Sequence, residues 1–480
     1  MTPAASSRPR SIDTAIKDRA FTTKPFRAFR RGRSATRKGE EPLLELLQEE
    51  NEAMKLHDVF EAEAKKRSGA GNYKAAAEQF AALGVDAETA IAKALATPIS
   101  VHCWQADDVR GLELREGAVD SGGLKATGNY PGAARTGDEI RADFEVAARL
   151  IPGKLRFNIH AMYAETGRPV PRDELQPEHF SRWVDWAAAH GWALDFNPTC
   201  FAHPLAADGL TLAHPKKTIR QFWIRHCRAC RDIASYFGRR LGDSVCNIWI
   251  PDGLKDTTAD RLRPRERLLQ SLDAVLEDKK PKCVDTVESK LFGIGVEDYT
   301  VGSHEFYLLY AQSRGVGICL DMGHFHPTES VADKISAIVA FVRPVLLHVS
   351  RGLRWDSDHV VRFNDELRAV CDEAVRSGAM KHILWATDYF DASINRVAAW
   401  VIGVRAVRKA LLYALLEPWK LAVEAELAGD GAAKLAIEEA RAELPFAAVW
   451  EEACRRADVP TGLAWMAEIR RYEAEVLSKR

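Results

Sequence analysis

Eight short runs rich in β-branched and other apolar residues recur along this chain, and amphipathic stretches of helical period separate them. The runs span residues 98–104, 156–163, 193–200, 246–253, 283–290, 317–324, 345–351 and 383–390. Strand-like runs that alternate with helices indicate a parallel sheet with helical crossovers. Eight such units close naturally into a barrel, so we predict an α/β chain folded as a (β/α)8 TIM barrel.

An open doubly wound sheet is the competing architecture. It would collect ligands near one topological switch point. Here residues that can bind metals follow several successive runs, at the ends where a barrel carries its catalytic residues. This distribution favours the barrel.

Three regions differ in composition. Residues 1–40 carry eleven Lys or Arg against three acidic residues, and a charged helical stretch follows. We expect residues 1–71 to be a basic, flexible and disordered leader, with a nucleic-acid or membrane-surface arm and an organelle transit peptide as alternatives. We predict that the barrel occupies residues 72–391. The purely helical period of residues 392–480 predicts a C-terminal all-helical extension that serves in oligomerisation.

Composition excludes several classes of protein. The 480 residues carry a net charge of −1, which gives no general attraction to nucleic acid or to an anionic membrane. The most apolar stretch of the C-terminal region is interrupted by Arg405 and Arg408, so no membrane span is predicted. Nine cysteines, an odd number, are scattered among core-type segments. They predict reduced thiols and a cytoplasmic location.

Seven side chains able to bind metals follow the last four runs. They are Glu288, Asp321, His324, His348, Asp356, Asp358 and Asp388. Any one of them alone is more simply explained as a helix cap or a hydrogen-bond partner. Together at the catalytic face they predict two metal ions: a ring from four successive strand ends, and a set of two carboxylates and one imidazole with open positions.

Lys290 lies two residues after Glu288, so both side chains share one face of the strand. It can polarise a carbonyl oxygen, or it can simply pair with the carboxylates. The other strand ends carry Trp104, His160, Phe196 and Trp249. Aromatic faces beside polar groups suit a sugar, although the same rings could merely plug the barrel.

Several long motifs of this sequence resemble those of bacterial L-rhamnose isomerases. They include HCWQADDV, TGNYPG, LDFNPTCFAHPL, VESKLFGIG, LDMGHFHPTE, HVSRGLRWDSDHVV and DYFDASINRVAAWVIG. The resemblance extends from about Tyr73 to Arg480 and leaves only the leader unmatched.

The resemblance implies a homotetramer that converts L-rhamnose to L-rhamnulose. It implies a catalytic Mn²⁺ held by His324, Asp356 and Asp358. It also implies a structural Zn²⁺, or a second Mn²⁺, held by Glu288, Asp321, His348 and Asp388.

The same resemblance implies that Lys290 and His160 contact the substrate. Combined with the residue analysis, it predicts a hydride shift between C2 and C1, with Lys290, Asp388 and Asp358 as catalytic residues. Trp104, Trp249 and Phe196 would complete the substrate site. A cis-enediol route is the alternative chemistry.

Three other functions compete with this prediction. An isomerase or epimerase of another aldose could use the same fold with a different sugar. A metal-dependent phosphodiesterase would need basic residues along a groove, and the barrel half of this sequence is not basic. A non-catalytic sugar-binding protein would tolerate the loss of ligands, and none is lost here.

Overall fold

A closed barrel of eight parallel strands forms the centre of the molecule. The computed structural model describes residues 70–113, 128–290, 298–353 and 359–480, together with Phe60 and Ala62. Each strand coincides with one of the eight runs, so the predicted barrel is confirmed. The strands are β1 Ile99–His102, β2 Leu155–His160, β3 Ala193–Asn197, β4 Ser244–Ile248, β5 Cys283–Glu288, β6 Gly317–Asp321, β7 Val345–Val349 and β8 Ile383–Thr387. A separate antiparallel pair joins Gly253–Leu254 to Tyr299–Thr300.

Each barrel strand pairs with its neighbours in sequence, and β1 closes the barrel against β8. Helices connect the strands and continue beyond β8. In the described ranges they are α1 Ala70–Ala82, α2 Ala87–Ala96, α3 Trp104–Asp107, α4 Gly137–Ala148, α5 Ser181–His190, α6 Lys217–Leu241, α7 Leu262–Val275, α8 His304–Arg314, α9 Ala332–Val339, α10 Asp365–Arg376, α11 Arg396–Leu415, α12 Trp419–Leu427, α13 Gly431–Glu443, α14 Phe446–Arg456 and α15 Trp465–Glu475. Short 3₁₀ helices span Ala161–Tyr163, Arg172–Glu174, Pro177–Phe180, Pro204–Ala206, Ala379–His382 and Leu477–Lys479.

Side chains alternate between the outside and the inside of the barrel, as the strand period of two requires. Leu347 belongs to the large core between strands and helices. Its neighbour Leu346 belongs to a small separate cluster with Val245, Cys319 and Ala386. Because this apolar cluster is small, much of the barrel interior is left to polar side chains.

The helices after β8 are not all remote from the barrel. Helix α11 carries Trp400, whose ring lies 5.5 Å from Phe144 and 6.1 Å from Phe157 in the large core. A second hydrophobic cluster joins α1 and α2 to the helical C-terminal region through Phe80 and Trp450, among others. No helix in the described ranges is long and apolar enough to cross a membrane. The domain limits at residues 72 and 391 stay predictions, and residues 1–59 lie outside the described residues.

Phe157 offers a test of the barrel packing. Its ring is fully buried on β2, 4.4 Å from Phe144 and 6.1 Å from Trp183. We expect Phe157→Ala to lower the free energy of unfolding by about 3–5 kcal/mol, because it removes buried contacts and leaves a cavity. Urea denaturation measures the change.

Phe341→Ala is the matched control. Its ring is 79% exposed, so we expect a change within about 0.5 kcal/mol. Equal effects of the two substitutions would contradict the packing described for Phe157.

Candidate metal centre and sugar site

Four side chains from successive strand ends converge at the carboxyl-terminal mouth of the barrel. Glu288 and Asp321 are the last residues of β5 and β6, His348 lies near the end of β7, and Asp388 directly follows β8. His348 Nδ1 lies 3.4 Å from a Glu288 oxygen, 3.6 Å from an Asp321 oxygen and 3.3 Å from an Asp388 oxygen. All four ligand-type atoms lie within 4.8 Å of one another.

Three carboxylates therefore surround one imidazole. Burial acts to raise the pKa of Glu288, but His348 and His324 outweigh it and hold that pKa well below its usual range. Burial likewise acts on Asp388, but His102 and His348 lower its pKa to about 2. For Asp321 burial prevails and raises the pKa. The cluster thus concentrates negative charge in a buried space, which is costly without a compensating cation.

The arrangement of the four side chains fits a metal ion. Asp321 Oδ2 and both ring nitrogens of His348 are buried and have no hydrogen-bond partner in the described part of the chain. Buried polar atoms normally have partners, so these atoms suit coordination. Ligand atoms at about 2.1 Å from a tetrahedral ion lie roughly 3.4 Å apart. The distances from His348 to its three carboxylates are close to that value.

A set of hydrogen bonds holds these ligands in place. Asn247 on β4 donates from Nδ2 to Glu288 Oε2 and accepts at 2.8 Å from the Thr286 hydroxyl. Ser350 donates to Asp321 Oδ1 at 2.8 Å. Asn247 and Ser350 were not among the site residues predicted from the sequence. The alternation of β4 could have identified Asn247, because it shares a face with Trp249.

The first two strands and the helix α3 add imidazole and aromatic groups beside Asp388. Trp104 donates its indole N–H to Asp388 Oδ1 at 2.8 Å, and its ring lies 3.9 Å from the ring of His160. His102, also missed from the sequence, lies with Nε2 3.7 Å from Asp388 and 3.3 Å from His160 Nε2. Burial and His102 lower the pKa of His160 well below its usual range, which favours the neutral imidazole.

Lys290 and Trp249 form the opposite side of the mouth. The Lys290 ammonium lies 5.3 Å from the centre of the Trp249 ring, which stacks beside His324 at 6.4 Å. Phe201 links the two sides, at 6.2 Å from Trp104 and 5.9 Å from Trp249. Phe201 was not predicted as a site residue. It follows the third strand in a loop, where no strand alternation marks its direction.

One predicted site residue faces away from the mouth, and two others lie outside the described residues. Phe196 was predicted to contact substrate, but its fully buried ring packs against Phe180 at 5.0 Å and Phe237 at 5.5 Å. Phe196 and Asn197 are adjacent on β3, so their side chains lie on opposite faces of the strand. Asn197 faces the barrel interior and Phe196 faces the helices. That prediction is therefore corrected. Asp356 and Asp358 lie outside the described residues.

His324 is placed next to the cluster. Its Nδ1 lies 2.9 Å from the carbonyl oxygen of Ser289 and 3.1 Å from Glu288 Oε1. A hydrogen bond from Nδ1 to that carbonyl would fix the tautomer in which Nε2 is the ligand atom.

Comparison with known proteins identifies close relatives. Residues 69–480 match the family model of L-rhamnose isomerase (RhaA). The L-rhamnose isomerase of Salmonella gallinarum is 56% identical over 411 residues, which cover 85% of this chain and 98% of that protein. The enzyme of Salmonella paratyphi B has the same identity and coverage. A solved structure of an L-ribulose 3-epimerase is 14% identical with a TM-score of 0.43, and the match covers 69% of this chain and 97% of that chain.

Asn247 tests the assignment of the cluster. Asn247→Leu removes the donor to Glu288 with little change in volume. We expect affinity for Zn²⁺ or Mn²⁺ to fall about 10- to 100-fold, because the carboxylate loses the group that orients it. Competition with a metal-chelating dye measures the affinity.

Asn158→Leu is the control, since Asn158 is another buried asparagine of the barrel strands. An equal loss of affinity in both variants would mean that Asn247 has no specific effect on Glu288.

Proposed function

Because the chain belongs to the L-rhamnose isomerase family and is an aldose–ketose isomerase, we propose that the mouth of its barrel converts L-rhamnose to L-rhamnulose by a hydride shift between C2 and C1. The observation that carries this proposal is the convergence of Glu288, Asp321, His348 and Asp388 beneath an aromatic-lined opening. Carboxylates and an imidazole suit divalent cations, and aromatic faces suit the C–H surface of a sugar.

We propose two metal sites. A structural Zn²⁺, or a second Mn²⁺, would be held by the four-residue cluster, which fits such an ion. A catalytic Mn²⁺ would be held by His324 with Asp356 and Asp358, a set supported by sequence motif alone. When bound, divalent ions supply Lewis acidity that polarises the oxygens of the sugar and orients them.

The described side chains would bind and orient the sugar. Trp104, Phe201 and Trp249 offer ring faces around the mouth. His160 Nδ1 is buried without a hydrogen-bond partner in the described ranges, so a sugar hydroxyl could supply one. Their dense contacts would also exclude water from the reacting carbons, which favours direct transfer of hydrogen.

Lys290 and Asp388 have separate chemical roles in this proposal. The ammonium of Lys290 would stabilise negative charge that develops on a sugar oxygen. Asp388 would guide the proton that moves between O2 and O1. The indole N–H of Trp104 donates to Oδ1 of Asp388, and Oδ2 lies near His102 and His348. Hydrogen would then pass between two carbons already positioned beside each other.

We extend the proposal to a homotetrameric, cytoplasmic enzyme that binds neither nucleic acid nor membrane. The family resemblance supports the tetramer. Exposed apolar residues on α12 and α13, namely Leu427 and Leu435, support a contact between subunits. The net charge of −1 and the lack of disulfides among the described cysteines support the rest.

Metal removal and restoration test the proposed reaction. We expect protein stripped with EDTA to form no L-rhamnulose from L-rhamnose, and added Mn²⁺ to restore product formation. Asp358→Asn should stay inactive under the same conditions, because it removes one proposed ligand. Chromatography of the ketose product measures each case.

Asp333→Asn, an exposed carboxylate on α9, is the control and should behave like the unaltered protein. Full activity without metal, or in Asp358→Asn, would contradict the proposed catalytic site.

Isotopic labelling separates the two possible routes. With L-rhamnose deuterated at C2, we expect the label to reach C1 of the product and remain there in ordinary water. Proton NMR of the product measures this transfer. Loss of the label to solvent would instead favour the cis-enediol route.

A further inference from the structure

A cavity of about 740 Å³ lies at the opposite end of the barrel from the proposed active site. Its floor includes Leu346, which precedes His348 on β7, and Leu384 on β8, the strand that Asp388 follows. Its rim includes Thr97, just before β1. The volume falls within the range of small-molecule sites, which is roughly 300–1,000 Å³. The site described above does not use this space.

Much of the cavity wall is apolar. Val284, Leu346 and Leu384 form its floor, and Met380 and Leu415 its sides. Trp385 also contributes to the lining, is 3% exposed, and has an indole N–H without a hydrogen-bond partner in the described part of the chain.

The polar groups of the cavity carry an excess of positive charge. Arg156 binds Asp195 at 2.6 and 2.8 Å and the Asp243 carbonyl at 2.6 Å through Nε and Nη2. Those bonds leave Nη1 without a partner among the described residues. Lys93 and Lys381 also line the cavity and form no ion pair within the described ranges. The Asp243 carboxylate is paired with Lys282 outside the lining, at 3.1 Å.

We propose that this cavity binds an amphipathic carboxylate, with its apolar body against the leucine-rich wall and its charge paired with the cationic groups. The lining combines apolar area with cationic groups, so a neutral apolar molecule would leave those groups without a counter-charge. A small inorganic anion would leave the apolar wall exposed to water. An anion with an apolar body satisfies both.

Isothermal titration of the metal-loaded full chain with naphthylacetate tests the proposal, with neutral naphthylacetamide as the matched ligand. We expect the carboxylate to bind, and the amide to bind at least about tenfold more weakly, a difference of about 1.4 kcal/mol. Saturating L-rhamnose should leave the affinity unchanged, because the two sites lie at opposite ends of the barrel.

Protein variants locate the site. Lys93→Glu combined with Lys381→Glu should weaken naphthylacetate binding about tenfold. The exposed pair Lys255→Glu and Lys279→Glu should not weaken it. Met380→Trp should weaken binding by narrowing the apolar part of the cavity, and the lysine variants keep the test valid if that variant fails to fold. No binding, equal binding of the amide, competition by L-rhamnose or an unaffected lysine variant would each overturn the proposal.

Discussion

Pairing between the first and last strands is the interaction on which the site depends. β1 and β8 meet in parallel through Ile99 and Trp385, Ser100 and Ala386, and Val101 and Thr387. This contact closes the barrel and brings Trp104 to Asp388, which is 284 residues away in sequence. An open sheet would leave these strands at opposite edges, and Asp388 would lose its indole donor and its neighbouring imidazole.

Closure also creates a narrow interior in which charge is expensive to bury. The molecule meets that cost differently at the two ends. At the carboxyl-terminal end, Glu288, Asp321 and Asp388 surround His348, and Asp321 Oδ2 and both His348 nitrogens have no hydrogen-bond partner among the described residues. At the amino-terminal end, Asp195 is fully matched by Arg156, with 2.6 Å between Oδ1 and Nη2. The first arrangement suits a bound metal cation, whereas in the second the protein itself supplies the cation, the Arg156 guanidinium.

The proposed chemistry follows from combining this charge with aromatic walls. The negatively charged side chains suit Lewis-acidic cations, and the ring faces of Trp104 and Trp249 suit the C–H surface of a sugar. Lys290 lies against the Trp249 ring, where its charge is positioned before substrate arrives. Asn247 and Ser350 restrict the carboxylates to one orientation, so little reorganisation is needed during the reaction.

The strand and helix order, the barrel and the convergence of Glu288, Asp321, His348 and Asp388 at its mouth were predictable from the sequence, because strand period and strand-end position are local properties. Family membership was also predictable, because each motif that carries the resemblance is a contiguous stretch of sequence. Tertiary structure alone decided which neighbours each side chain meets. Phe196 turns toward Phe237 although it lies near a strand end, and Phe201 reaches the mouth from a loop. His102 meets Asp388 only because the barrel closes, and contacts between distant strands depend on register and closure that no local pattern encodes.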